Sequence, residues 1–209
     1  WYLLAMELKP QSARDKLIIS ALKLIRTKGY GATTVDDLCK DAAVTKGAFF
    51  HHFKTKEDAA IAATQFWNAS TGALFSTADY HKHEDPLDQL IAYIDFRAKL
   101  LDHGGLADIT CLLGTTVQET FDTNPALREA CDIGITGHAE TIRTMIEAAK
   151  ARHAPRATWS PESLALHTQA VIQGAFIVAK ARNDVEVARQ SILHLRRYLE
   201  LLFHYAKED

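Results

Sequence analysis

From Leu17 to Leu202 apolar side chains recur at three- and four-residue steps, and no run of alternating β-branched and polar residues interrupts them. That periodicity leaves an all-α chain. Start and stop signals divide it into segments. A first helix over about Gln11 to Lys28 gathers Leu17, Ile18, Ala21, Leu22 and Ile25 on one face and ends at Gly29. Thr34 with Asp37 has the spacing of a capping box and opens a short second helix that ends near Asp41 to Ala43. Thr45 caps a third, Lys46 to His52, and Thr55 with Asp58 opens a fourth, about Lys56 to Phe75. Asp85-Pro86, Asn124-Pro125 and Ser160-Pro161 each set a cap residue before a proline at the first helical position. Gly104-Gly105 end the helix that Asp85 opens, another covers about Ile109 to Phe121, and Asn183 with Glu186 opens the last, for a count of nine.

The chain has 209 residues, 47% of them hydrophobic, enough for one large domain or two modest ones with a buried core. No apolar run approaches the ~20 residues that cross a bilayer. The opening Trp1 to Ala5 is too short for a signal-peptide core, and Met6 reads as a native start. Three widely spaced cysteines, Cys39, Cys111 and Cys131, fit a reducing, cytoplasmic compartment better than a disulfide framework. With no Cys-x-x-Cys or His-Glu-x-x-His, neither a metal nor a cofactor is expected, and His81-Lys82-His83-Glu84 reads as a solvated inter-helix loop.

The net charge of −2 is unevenly distributed: residues 9–60 carry ten Lys/Arg against six Asp/Glu, residues 61–209 fourteen against nineteen. Phosphate contact needs only a local basic surface, so nucleic acid stays in play. The two short helices after Thr34 and Thr45 have the order of a helix-turn-helix, whose second helix lies in the major groove while helix N-termini and basic side chains hold phosphates. Thr34 and Thr45 put a hydroxyl and free backbone N–H groups where a phosphate is favoured. Gly47 leaves room for a sugar-phosphate backbone, and His51, His52, Lys54 and Lys56 form a basic cluster within two turns. Phe49 and Phe53 read as core residues under the reading helix. On these features alone a helix-turn-helix need not touch DNA, and the histidine pair can equally be a solvated face.

An N-terminal amphipathic helix, then Gly29-Tyr30, Ala32-Thr33-Thr34-Val35 and VTKGAFFHHFKTKEDA from Val44 to Ala59, closely resembles the TetR family of bacterial transcriptional repressors over residues 12–60. The resemblance implies a DNA-binding domain at 9–56, a helical ligand-binding and dimerisation domain at 57–209, a pseudo-palindromic double-stranded operator and repression as the habitual outcome. It also implies that Thr34 and Thr45 meet phosphates, that Lys46 and Ala48 face the bases, and that Lys56 clamps the DNA backbone. Phe50 departs from the pattern, standing where many members carry tyrosine, so that phosphate contact passes to His51 or His52. Ala48 can offer a base only packing against a thymine methyl, which leaves readout to few side chains and to DNA shape.

CLLGTTVQE from Cys111 and QGAFIVAKARNDVEVARQSILHLRRYLELLF from Gln173 resemble one branch of the same family, in which the last two helices make a homodimer. Val185, Ala188, Ile192, Leu195, Leu199 and Leu202 follow the spacing of a helical seam, and Gly174, Ala175 and Val178 allow close helix approach. A purely intramolecular core would carry the same pattern.

A regulator of this type needs a small-molecule signal, with a site expected among the fourth to eighth helices. Phe66, Trp67, Tyr93, Phe96, Phe121, His138, Met145 and Phe176 are candidate lining residues and suggest an apolar or aromatic effector, although rings at helical spacing also make ordinary core. Arg97, Arg143 or His167 would meet a polar end. Cys111, near the start of the sixth helix, offers an alternative electrophile or redox trigger, because a helix N-terminus favours a thiolate. A helical-bundle enzyme is the rival from another class, but the Glu-x-x-His pairs of a di-iron site and the Gly-x-Ser-x-Gly of a nucleophile elbow are both missing. An interaction module without DNA binding is the other.

Overall fold

The computed structural model describes residues 12–102, 104–106 and 110–204, so Trp1 to Ala5, Met6, Gln11 and Ile109 fall outside the described residues. Nine α-helices and no strand occur among the described residues: α1 Ala13–Lys28, α2 Val35–Asp41, α3 Lys46–His52, α4 Lys56–Ser76, α5 Pro86–Lys99, α6 Leu112–Thr120, α7 Pro125–His153, α8 Pro161–Arg182 and α9 Val185–Leu202. Single 3₁₀ turns lie at Asp79–Lys82 and Leu100–Asp102.

Local side-chain chemistry sets most of the starts. Ser12 with Asp15 and Thr34 with Asp37 form reciprocal capping boxes. The Thr55 hydroxyl accepts from Asp58 N at 3.1 Å while the Asp58 carboxylate accepts from Thr55 N at 2.9 Å. Asp85, Asn124 and Ser160 cap α5, α7 and α8. One start differs from the sequence reading. Asn183 does not open α9; it closes α8 in the left-handed region (φ 51°), which asparagine tolerates, and Asp184 caps α9 by accepting from Glu186 N at 2.9 Å.

Two compact units emerge, one from residues up to Ala73 with 110–134, the other from 74–109 with 135–209. In the first, α1 buries Leu17, Ile18, Ala21, Leu22 and Ile25 and packs on α2, α3 and α6. Phe49 is fully enclosed and Phe53 nearly so, with ring centroids 5.8 Å apart, and together they seat α3 on this scaffold.

In the second unit α8 pairs with α9, and α5 lies along α9. Here the expected dimer seam turns inward: Ala188, Ile192, Leu195 and Leu199 are only 0%, 0%, 3% and 0% exposed within a single chain, and Ala175 is 4% exposed. These five side chains are buried within the single chain, where the seam reading had set them against a second copy. The polar flank of α9 is equally committed. Arg196 bridges Asp95 and Glu200, and Arg189 bridges Asp102 and Glu186 while donating to Ala98 O.

The expectation that no segment reaches membrane-spanning character is also corrected, since α8 is long and apolar enough to cross a bilayer by length and composition. Its Leu164, Ala165, Ile172, Ala175, Phe176 and Ala179 are buried in the unit, as in the core helix of a folded domain.

Candidate nucleic-acid interface and aromatic cluster

On α3 and its flanks, the polar groups divide into those the fold uses and those it does not. The Thr34 hydroxyl both accepts from Asp37 N at 3.1 Å and donates to the Asp37 carboxylate at 2.7 Å. Lys28 joins that carboxylate at 2.7 Å, and these partners hold its pKa well below the usual carboxylate range. Thr34 is therefore a cap with its proton committed. The Thr45 hydroxyl accepts from Ala48 N at 3.1 Å and donates to no acceptor among the described residues, which leaves its proton for an outside oxygen. Lys46 pairs with Asp36 at 2.7 Å with both side chains largely exposed, so the pair is exchangeable at little cost, and Asp36 raises the lysine pKa and keeps it charged.

A Cβ on Gly47 would meet nothing closer than the Thr45 hydroxyl at 3.7 Å, so no contact within the described chain requires glycine there. Phe50 is 56% exposed beside the buried Phe49, His51 and His52 stack edge to face at 4.9 Å, and Lys54 is exposed.

Lys56 departs from the expected DNA clamp. Its ammonium donates to Tyr30 O at 2.9 Å and sits 4.1 Å from the Tyr30 ring centroid; burial lowers its pKa, with Glu119 acting in the opposite sense. From the other side, the Glu119 carboxylate of α6 accepts from Gly31 N at 2.8 Å and Tyr30 N at 3.2 Å. The loop joining α1 to α2 is thus gripped on both faces. Gly29, at φ 92°, lets the carboxylate in: a Cβ there would lie 2.4 Å from Glu119 Oε1. Sequence reasoning missed Glu119, for its partners lie 88 and 89 residues away. It missed Arg26 as well, which is buried, donates from Nε to Thr110 O at 3.0 Å and stacks 4.9 Å from the Trp67 ring.

Of the expected effector-lining residues, Tyr93, Phe96 and His138 come together in the second unit, joined by Phe75 and Tyr80, which the lining set had not included, and by Arg97, one of the three polar-end candidates. Tyr93 is fully buried, and its hydroxyl pairs with His138 Nε2 at 2.9 Å. Burial, then the Arg97 charge, pushes the His138 pKa down to about 3, so the imidazole is neutral at ordinary pH. Burial likewise pushes the Tyr80 phenol up to about 12, and its hydroxyl donates to Phe75 O at 2.8 Å. His81, from the solvated-loop reading, is a structural residue: its Nε2 lies 3.0 Å from Phe75 O, and among the described residues no three potential ligands gather as a metal site.

The remaining lining candidates do not share this cluster. Met145 and Phe176 are buried with no ring contact to it among the described residues. Phe66, Trp67, Cys111 and Phe121 belong to the first unit, where Trp67 carries Arg26 and Phe121 is 61% exposed. Cys111 occupies the N-cap of α6 without a side-chain cap bond, and the enclosed Cys131 thiol is pushed up to about 12, chiefly by burial and then by Cys111. Arg143 is taken by Glu140 and Glu147, and His167 stacks on Tyr198, which leaves Arg97 as the polar-end candidate beside the rings.

A pair of short capped helices, the second presenting an outward basic face, has the form of a helix-turn-helix. Residues 17–63 match the model of bacterial regulatory proteins of the tetR family, and residues 86–195 match that of the tetracyclin repressor-like C-terminal domain. The chain belongs to the TetR family, whose members are DNA-binding regulators; the enzyme reading is thereby set aside. It is 22% identical over 187 residues to the HTH-type transcriptional repressor NemR of Escherichia coli K12, covering 89% of this chain and 93% of that one. The transcriptional regulator AcuR of Cereibacter sphaeroides is 29% identical over 107 residues, 51% of this chain and 48% of that one. A TetR regulator from Chloroflexus aurantiacus superposes with a TM-score of 0.77 at 27% identity, over 90% of this chain and 94% of its own. A TetR-family regulator from Agrobacterium tumefaciens shares the fold at TM-score 0.79 and 19% identity, over 91% and 98%.

Proposed function

We propose that the chain is a repressor that binds a pseudo-palindromic double-stranded operator as a homodimer through residues 9–56, and leaves it when a small, largely apolar or aromatic effector occupies residues 57–209. The observation that carries the DNA contact is the outward face of α3: Thr45, Lys46, Gly47 and Lys54 offer a spare hydroxyl proton, exchangeable charge and empty space that the described fold does not use. Ala48, Phe50, His51 and His52 complete that face. Thr34 spends both its hydroxyl proton and its own amide on the Asp37 carboxylate and so orders the start of α2, and Lys56 braces the Tyr30 loop that supports the reading helix. Repression is supported by the similarity to a relative named a transcriptional repressor.

For the dimer, the support is an exposed apolar stripe on α8 and α9. Leu166, Ile177, Val178, Tyr198 and Leu201 are 48%, 48%, 50%, 43% and 76% exposed in the single chain. Gly174 has no atom within 4 Å of where its Cβ would stand, so its close-approach role is toward a partner. Leu202 flanks the same stripe. Two copies set two reading helices at a fixed spacing, and an effector releases the operator only through differential affinity for the state with the wrong spacing.

Fluorescence anisotropy with a duplex from the chain's own upstream region tests this reading. The wild type binds that duplex more tightly than a scrambled one, and Gly47→Val removes the difference with an unchanged melting temperature. Equal binding of both duplexes, or an unaffected Gly47→Val variant, contradicts it.

A further inference from the structure

The arginines of the second unit are not treated alike. Arg143 is held by Glu140 and Glu147, Arg189 by Asp102 and Glu186, and Arg196 by Asp95 and Glu200. Arg97 is partly buried, yet among the described residues it has neither a carboxylate partner nor a hydrogen bond. Its guanidinium instead lies 5.1 Å from the Phe75 ring centroid. A partly desolvated cation answered only by a ring face is under-compensated, and it retains its forked donors for an anion.

What surrounds Arg97 narrows that anion. The Phe75 ring lies 5.7 Å from Phe96 edge to face and 4.4 Å from His138. Tyr93 and Tyr80 close the cluster behind them, 5.5 Å apart. Both tyrosines are un-ionised, His138 is neutral, and His138 Nδ1 makes no hydrogen bond among the described residues. No carboxylate takes part in these contacts. The assembly therefore combines one fixed positive charge, several ring faces and a neutral hydrogen-bonding edge. A dianion would find a single cation insufficient, and a cationic ligand would meet repulsion; a flat apolar molecule with one negative group satisfies every element.

We propose that this cluster binds an aromatic monocarboxylate, its carboxylate forked on Arg97, its ring packed against Phe75 and Phe96, and its edge steered by the Tyr93–His138 pair. The proposal rests on the reading of the second unit as the effector-responsive part and names the effector's class. The Phe75 ring covers the guanidinium, and the ligand ring takes over part of that contact.

The test compares 1-naphthoate with the isosteric neutral 1-naphthamide on the full chain by isothermal titration calorimetry. The carboxylate binds about tenfold more tightly than the amide, the worth of one charge-assisted forked contact. Arg97→Gln abolishes that preference, whereas Arg97→Lys, a point charge without the fork, keeps part of it. Equal affinity for the two probes, no detectable binding of either, or an undiminished preference in Arg97→Gln overturns the proposal. The wild-type comparison decides even where a variant folds poorly. Operator anisotropy in 1-naphthoate separates the two readings: Arg97-dependent binding that leaves operator affinity intact upholds the site and contradicts the effector-released repressor.

Discussion

Helices α3 and α9 both carry prominent positive charge, and they use it in opposite ways. On α9, Arg189 and Arg196 are each neutralised by two carboxylates and help fasten the helix to α5 and the turn after it. Around α3, Lys46 has one exposed, exchangeable partner, Lys54 is exposed, and Gly47 faces open space. Charge that a fold needs is paired with well-placed neighbours. Charge proposed to meet a polyanion is left where exchange is easy, and this difference, rather than the number of cations, supports α3 as the proposed DNA-facing surface.

The contrast between enclosed and outward groups can be broken at several points. The largest effect belongs to neighbouring phenylalanines on α3: Phe49→Ala costs about 3–5 kcal/mol of unfolding free energy, because Phe49 is fully buried, whereas the exposed Phe50→Ala stays within about 1 kcal/mol. Urea denaturation of the two variants checks this, and similar losses would erase the distinction between the two faces.

The second unit should respond to acid through His138. Its folded-state pKa of about 3 lies below the ordinary 6.5, so as pH falls through that window the unfolded chain takes up the proton first. Stability present above the unfolded value is then lost, on the order of 3 kcal/mol from this residue between pH 7 and 4. Denaturation curves at the two pH values should show a smaller drop for His138→Gln than for the wild type; an identical drop would mean that the histidine is not held neutral.

Smaller still is the Glu119 clasp. Glu119→Ala leaves the Tyr30 and Gly31 amides without their acceptor and costs about 1–2 kcal/mol, with accelerated hydrogen exchange at those two amides. Unchanged exchange there would remove the clasp from the account. On the dimer surface, Leu201→Glu should leave the unfolding transition of the subunit unaltered but shift sedimentation toward the monomer, whereas the enclosed Leu199 tolerates no such change.

How much of this was legible depended on the range of the interaction. Thr34, Thr45, Thr55 and Asp85 announced their helices because a cap and its amides lie within three residues. Even there, Asn183 and Asp184 exchanged roles, for one residue in the left-handed region ends a helix just where the next cap begins. The apolar stripe of α9 was readable as a stripe, but its period is the same whether α8 or a second copy lies against it; only the enclosure of Ile192 and Leu199 within one chain decides. The ring cluster was half visible. Tyr93, Phe96 and His138 could be picked out as aromatic or titratable and Arg97 as one of three polar-end candidates, yet Phe75 and the choice of Arg97 depend on a neighbour on another helix, and no local spacing encodes that. Lys56 carried the expected charge, and its commitment to Tyr30 depends on a loop 26 residues earlier.

The central claim is that cations the fold leaves exchangeable are those that meet DNA. Its most direct test is the salt dependence of operator binding by the wild type and by Lys46→Gln/Lys54→Gln, plotted as log affinity against log salt. Each phosphate contact contributes about 0.9 to the slope and the proposed dimer presents each lysine twice, so the double variant should lose about 3.6 units of slope with an unchanged melting temperature. A slope equal to that of the wild type would contradict the claim.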